Sequence, residues 1–195
     1  KGIWIFEMSY MPEMLKMNSY DTICHEHLEY YSFSVIEKLL EMENMKVFKV
    51  GFNTINGGSM RCYATHQNNF SFEDSINKNE ISKLRKQEFD LALDTDEPYK
   101  NFQDRIEKHK TELKSLLLNL KRDQKSIHLY GASTKGNTIL QWCGIDESII
   151  DFAADRNPKK DGARTIGTNI PIINEEKSRK MKPDYYLVLP WHFKD

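Results

Sequence analysis

The final third of the chain sets the strongest limit on what it can fold into. It reads SIHLYGA, NTILQWCG, IIDFAAD, TNIPII and DYYLVLP in succession, short apolar β-branched runs separated by a helical stretch and by turns. Alternation of this kind predicts a parallel sheet covered on both faces, because a parallel strand needs a crossover and is buried on each side. The turn after the first strand is YGASTKGN. Gly131 and Gly136 have the outer spacing of the dinucleotide fingerprint G-x-G-x-x-G, but Ser133 stands where the middle glycine lets a pyrophosphate approach the backbone. It is not a Walker A loop either, since Lys135 precedes Gly136. A glycine turn opening a helix still points N–H groups outward and favours an anion. Ala132, Ser133, Thr134, Lys135 and Asn137 surround that position, and Asp155 ends the second strand, where nucleotide-binding sheets often hold a ribose. A tight strand-to-helix turn without a ligand is the competing reading.

Residues 1–69 mix strands with one clear helix. GIWIFE has strand composition, SYMPEMLKMNSY reads as loop with a short helical turn, and MKVFKVGF and MRCYATH alternate as strands on either side of a turn at TINGGS. Between them a helix is expected to start at Ser34, with Glu37 completing a capping box and Val35, Ile36, Leu39 and Leu40 on its apolar face. Residues 70–123 are polar and helical, broken at DTDEP, and the second helix places Phe102, Ile106, His109, Leu113, Leu116 or Leu117, and Leu120 along one face. His109 on that face reads as a core-edge residue. Residues 124–195 form the parallel-sheet region.

One stretch follows neither period. YDTICHEHLEYYS, residues 20–32, sets a cysteine and a His-Glu-His run among three tyrosines. An extended backbone would put His25 and His27 on one face and Glu26 on the other. A zinc site would need a third protein ligand and none is evident, and the spacing is not that of H-E-x-x-H. General-base chemistry fits better: a histidine titrates near neutrality, a carboxylate beside it can orient or charge it, and Tyr20, Tyr30 and Tyr31 offer hydroxyls to an oxyanion. A hydrogen-bonded aromatic patch is the plain structural reading.

Composition excludes some classes. With 28 basic and 29 acidic residues the net charge is −1, which argues against a partner that is nucleic acid. The clusters KLRK and KSRK sit among acidic residues and read as solvated helix faces. Cys24, Cys62 and Cys143 are odd in number and form no C-x-x-C pair, which suits a reducing, cytoplasmic setting. No apolar run reaches the roughly 18–20 residues of a membrane span. The chain opens on Lys1 and enters a strand at once, as expected of a fragment. Oligomeric state is not legible.

Taken together, YDTICHEHLEYYS, NGGSMR at 56–61 and YGASTKGNTILQ at 130–141, with the ending PDYYLVLPWHF, resemble the S-adenosylmethionine (SAM)-dependent C-methyltransferases of nucleotide-linked keto sugars. The resemblance implies an α/β chain: the end of a class I methyltransferase sheet, whose last two strands form a hairpin, then a helical linker and a Rossmann-like parallel-sheet domain that stops early, after Trp191–His192–Phe193. The SAM loop and a cysteine-rich zinc module would lie upstream. It further implies that His27 removes a proton beside a 4-keto group, that Glu26 and nearby hydroxyls position it or hold the enolate, and that Gly131 to Asn137 grip the sugar nucleotide's diphosphate between the two domains. Arg61 would be a second anion contact, or else a salt bridge at the core edge. Cys24 departs from the family, where a tyrosine often supplies a hydroxyl; Tyr20 or Tyr30 could take over that role, or the substrate could differ. A non-catalytic nucleotide-sugar-binding module is the second reading, and an NAD-dependent oxidoreductase a distant third.

Overall fold

A computed structural model describes residues 2–54, 58–72 and 74–189. The turn expected at TINGGS falls partly, and the ending Pro190–Asp195 entirely, outside them. The chain divides into two compact units, 1–19 with 28–103, and 20–27 with 104–195.

In the first unit, strand β1 (Trp4–Ser9) pairs antiparallel with β3 (Ser59–His66), which pairs antiparallel with β2 (Met45–Asn53), giving the order β1-β3-β2. The two adjacent strands β2 and β3 are the hairpin pair expected. Helix α1 (Met11–Met17) follows β1, and α2 (Phe33–Met42) and α3 (Ser75–Asp90) pack on β2. Phe33, Met60, Cys62 and Ala64 are fully enclosed at the centre, with Ile36, Leu40, Val47, Val50, Ile81 and Leu84 around them.

The start of α2 corrects the expected capping box. The cap is Ser32, in extended backbone, whose Oγ accepts the Val35 amide, and Val35 and Leu39 are exposed while Phe33, Ile36 and Leu40 are buried. Glu37 turns outward to a bidentate pair with Arg85, Nε at 2.8 Å and Nη2 at 2.7 Å. Its capping work is done by Glu88 of α3. That buried carboxylate accepts the Phe33 amide at 2.6 Å, the Ser34 amide at 2.8 Å and the Tyr10 hydroxyl at 2.8 Å. An acid at a helix start satisfies amides that have no partner within the helix and meets the positive end of its dipole.

Helix α4 (Glu97–Arg122) follows the break at DTDEP, burying Phe102, Ile106 and Leu117 while Leu116 is exposed. In the second unit, β4 (Ile127–Tyr130), β5 (Phe152–Asp155), β6 (Ile172–Asn174) and β7 (Tyr185–Val188) are all parallel in the order β6-β5-β4-β7. Helix α5 (Thr134–Cys143) joins β4 to β5, and α6 (Glu175–Met181) joins β6 to β7. The expectation of an α/β chain with a separate parallel sheet is met. Ile127 and Leu129 are fully buried on one face of β4. Alternate residues face the other side: there His128, also buried, shares a hydrogen bond of 2.8 Å between Nδ1 and Ser178 Oγ of α6, and Ser178 a further 2.8 Å bond with the Tyr186 hydroxyl.

Among the described residues no helix is long and apolar enough to cross a membrane.

Candidate functional site

The glycine loop leaves β4 through Gly131, whose φ of 90° lies in the region that favours glycine. Its amide donates to Ala154 O at 2.8 Å, binding the loop to the next strand. Ser133 is the N-cap of α5, its Oγ accepting the Gly136 amide at 3.0 Å. Gly136 is set by space: a Cβ there would stand 3.0 Å from Leu189 Cδ1 and 3.1 Å from Ser133 Oγ. This is the close helix-to-strand approach that the third glycine of the dinucleotide fingerprint provides.

Asp155 serves the same loop. Its Oδ2 accepts the Ala132 amide at 3.0 Å and the Lys160 ammonium at 3.0 Å, and its Oδ1 accepts the Asn157 amide at 2.8 Å. Burial pushes this carboxyl up, but the Asn157 amide, Lys160 and the Ala132 amide outweigh it and hold Asp155 below the usual carboxylate range. Lys160 also donates to Ala132 O at 2.7 Å, so an ammonium is fixed at the loop's rim.

The segment 20–27 folds into this unit. Tyr20–Thr22 form a 3₁₀ turn that packs on α5. The Tyr20 hydroxyl is buried, 2.8 Å from His109 Nδ1 and 3.5 Å from Cys143 Sγ, and burial above all, with the Cys143 contact next, pushes its pKa up. It acts there as an anchor for the motif. His109, expected at the core edge, is exposed and holds that anchor. After it the chain makes a tight turn, with the His27 amide donating to Cys24 O at 3.0 Å. The backbone is therefore not extended, and His25 and His27 are not alternate residues on one strand face. The turn brings Glu26 to the glycine loop, where its Oε1 accepts Thr134 Oγ1 at 3.3 Å. Among the described residues no group of three metal-binding side chains is assembled.

Together these elements enclose an open cleft of about 810 Å³. Ile23, Cys24 and His25 form one wall, and Ala132, Ser133, Thr134, Asn137, Thr138, Gln141 and Trp142 of the loop and α5 form another. The loop beyond β5 closes it with Lys160, Ala163, Arg164, Thr165 and Ile166. It lies outside the carboxyl ends of β4 and β5, the usual ligand position in open α/β sheets. Arg164 is held in place by Glu147 and by Asn169 O, each at 2.7 Å. Cys24 and His25 thus face the cleft directly. His27 is half-buried and is not among the lining residues, and Lys135 and Asn137 sit in the first turn of α5 with Asn137 on the cleft. Arg61 belongs to the other unit, where its Nε donates to Glu7 at 2.7 Å across the β1–β3 pair, so the salt-bridge alternative describes its contact. Tyr31 donates to Glu29.

Lys160, Arg164, Gln141 and Trp142 were not singled out from sequence. A signal was present, since RNPKKDGAR follows the second strand and places basic residues where a phosphate-facing loop would run.

The sequence of residues 54–195 matches the family described as C-methyltransferase C-terminal domain, and the chain belongs to that family. Over 192 residues it is 31% identical to the C-methyltransferase NovU of Streptomyces niveus, an alignment covering 98% of this chain and 45% of the relative. The chain spans less than half the length of that protein.

Proposed function

We propose that this chain is the C-terminal part of a SAM-dependent C-methyltransferase acting on a nucleotide-linked keto sugar. The carrying observation is that the His-Glu-His turn and the glycine loop, 108 residues apart in sequence, meet at one cleft through the Thr134–Glu26 bond. A methyl transfer to carbon needs a base to make the nucleophile, and a substrate carrying a diphosphate needs fixed cations and donors. On this reading the loop side of the cleft would supply the donors, and the turn that carries His27, beside the lining residues Cys24 and His25, would supply the base.

At the phosphate end, Thr134, Asn137, the Lys160 ammonium and the Arg164 guanidinium would hold the diphosphate, with Ser133 and Gly136 shaping the loop and Asp155 aiming Lys160. On the far side of the diphosphate from the nucleoside, at the turn tied to Thr134 through Glu26, His27 would take the proton beside the ketone. The electron pair released would remain on the substrate as an enolate, leaving a carbon nucleophile for the methyl. Glu26, tied to Thr134, would orient the turn, and His25 and Cys24 would contact the sugar. SAM itself supplies the electrophilic methyl group.

The test uses the longer enzyme with His27→Asn. Removing a general base lowers turnover by about 10²–10⁴-fold, and binding of the nucleotide sugar should remain within about twofold. Methyl transfer near the unaltered rate would show that His27 is not the base. A second reading, a nucleotide-sugar-binding module without catalysis, is favoured by one feature: the cleft is built wholly from the second unit. It predicts binding without methyl transfer in the longer protein.

A further inference from the structure

The cleft carries a fixed ammonium toward one end and an exposed aromatic ring toward the other. Thr134, Asn137, Thr138 and Gln141 line it at helical steps along a single face of α5, and Trp142 borders its far end. Eight residues at the α-helical rise separate Thr134 from Trp142 by about 12 Å along the axis. At the Thr134 end stand hydroxyls and the fixed Lys160 ammonium. At the Trp142 end stand the indole, 37% exposed, and Ile166, 77% exposed, beside the Gln141 amide.

Two contacts keep that end in order. Lys110 Nζ lies 4.6 Å from the Trp142 ring centroid, a cation–π contact that restrains the indole. Gln141 Nε2 donates to Ile166 O at 2.9 Å, so the loop carrying Ile166 is tied to the same helix turn as Trp142. Exposed large apolar groups grouped beside an ordered aromatic ring mark a place for a flat ligand group.

We infer that Trp142 is the platform for the nucleobase of the bound nucleotide, with the phosphates at the Thr134–Lys160 end. This rests on the nucleotide-sugar reading of the cleft and adds the residue that grips the base. Stacking uses the π-face that every base has, so the platform accepts purines and pyrimidines alike. It makes Trp142 an affinity determinant for nucleotides and irrelevant to an inorganic diphosphate.

The experiment titrates the 195-residue chain with uridine diphosphate, adenosine diphosphate and inorganic pyrophosphate, by calorimetry and by tryptophan fluorescence. Trp142→Ala should weaken both nucleotides by about tenfold or more, and Trp142→Phe should restore most of that loss. Pyrophosphate affinity should stay unchanged in both variants, and the nucleotide-induced fluorescence change should vanish in both. If Trp142→Ala binds both nucleotides as the unaltered chain does while Lys160→Met weakens them, the platform is wrong and the phosphate site stands. Equal loss of pyrophosphate in Trp142→Ala also contradicts the platform, since Trp142 would then act through the fold. If the unaltered chain binds none of the three, the nucleotide reading fails and the platform with it.

Discussion

Thr134 Oγ1 donates to Glu26 Oε1 at 3.3 Å, joining the second residue of a glycine-loop helix cap to the centre of a His-Glu-His turn. The bond is exposed and modest in strength. Its value is geometric, since it fixes the acid of the turn to the loop that would hold the substrate's phosphates. Thr134→Val keeps the shape and removes the donor. In the longer enzyme it should lower kcat by about tenfold or less, the size of one exposed hydrogen bond, while leaving thermal stability within about 0.5 kcal/mol. Kinetics beside calorimetric unfolding would check this, and a large stability loss with unchanged kcat would contradict it.

Gly136→Ala should destabilise the second unit. The new methyl would meet Leu189 Cδ1 at 3.0 Å and Ser133 Oγ at 3.1 Å, crowding both the helix and its cap. Overpacking of this kind costs about 1–3 kcal/mol. Urea unfolding would measure it, and an unchanged midpoint would mean that Leu189 gives way freely.

Glu88→Ala should be among the most damaging changes in the first unit. Two amides and the Tyr10 hydroxyl would lose their acceptor in a buried place. The expected loss is about 3 kcal/mol or more. Tyr10→Phe, which removes one donor and leaves the carboxylate served by two amides, should cost about 1 kcal/mol. Denaturation midpoints of the two variants should therefore rank Glu88→Ala well below Tyr10→Phe.

His128 should make the second unit sensitive to acid. Burial lowers its pKa, and Asp151 offsets this only in part. The unfolded chain, with His near 6.5, then binds more protons than the native one just below that pH. Stability is full above about pH 6.5 and falls as pH drops toward the native pKa. His128→Gln removes the titrating group, so its stability loss between pH 7.5 and pH 5.5 should be smaller than that of the unaltered chain.

Much of the fold could be read before the structure. The helix break at DTDEP and the alternation after residue 124 rest on local rules of period and backbone restriction, which short windows carry. What escaped was decided by contacts distant in sequence. Ser34 and Glu37 satisfied the capping pattern, yet Glu88, 54 residues further on, takes the Ser34 amide, and the cap falls at Ser32. The His-Glu-His motif was legible as chemistry but its shape was not, because the turn at 24–27 follows from the anchoring of Tyr20 by His109 and Cys143, 89 and 123 residues away. Lys160 and Arg164 carried a local signal in RNPKKDGAR, but which basic side chains of that run reach the cleft is set by their ion pairs with Asp155 and Glu147.

The central claim is that His27 makes a carbon nucleophile by taking a proton beside a ketone. The most direct measurement is proton exchange at that carbon. The longer enzyme is incubated in deuterium oxide with a nucleotide-linked keto sugar and the demethylated form of SAM, which binds without giving a methyl, and the sugar is followed by NMR. The unaltered enzyme should exchange that hydrogen for deuterium, and His27→Asn should slow the exchange by about 10²-fold or more while still binding the sugar. Exchange at an undiminished rate in His27→Asn would contradict the account.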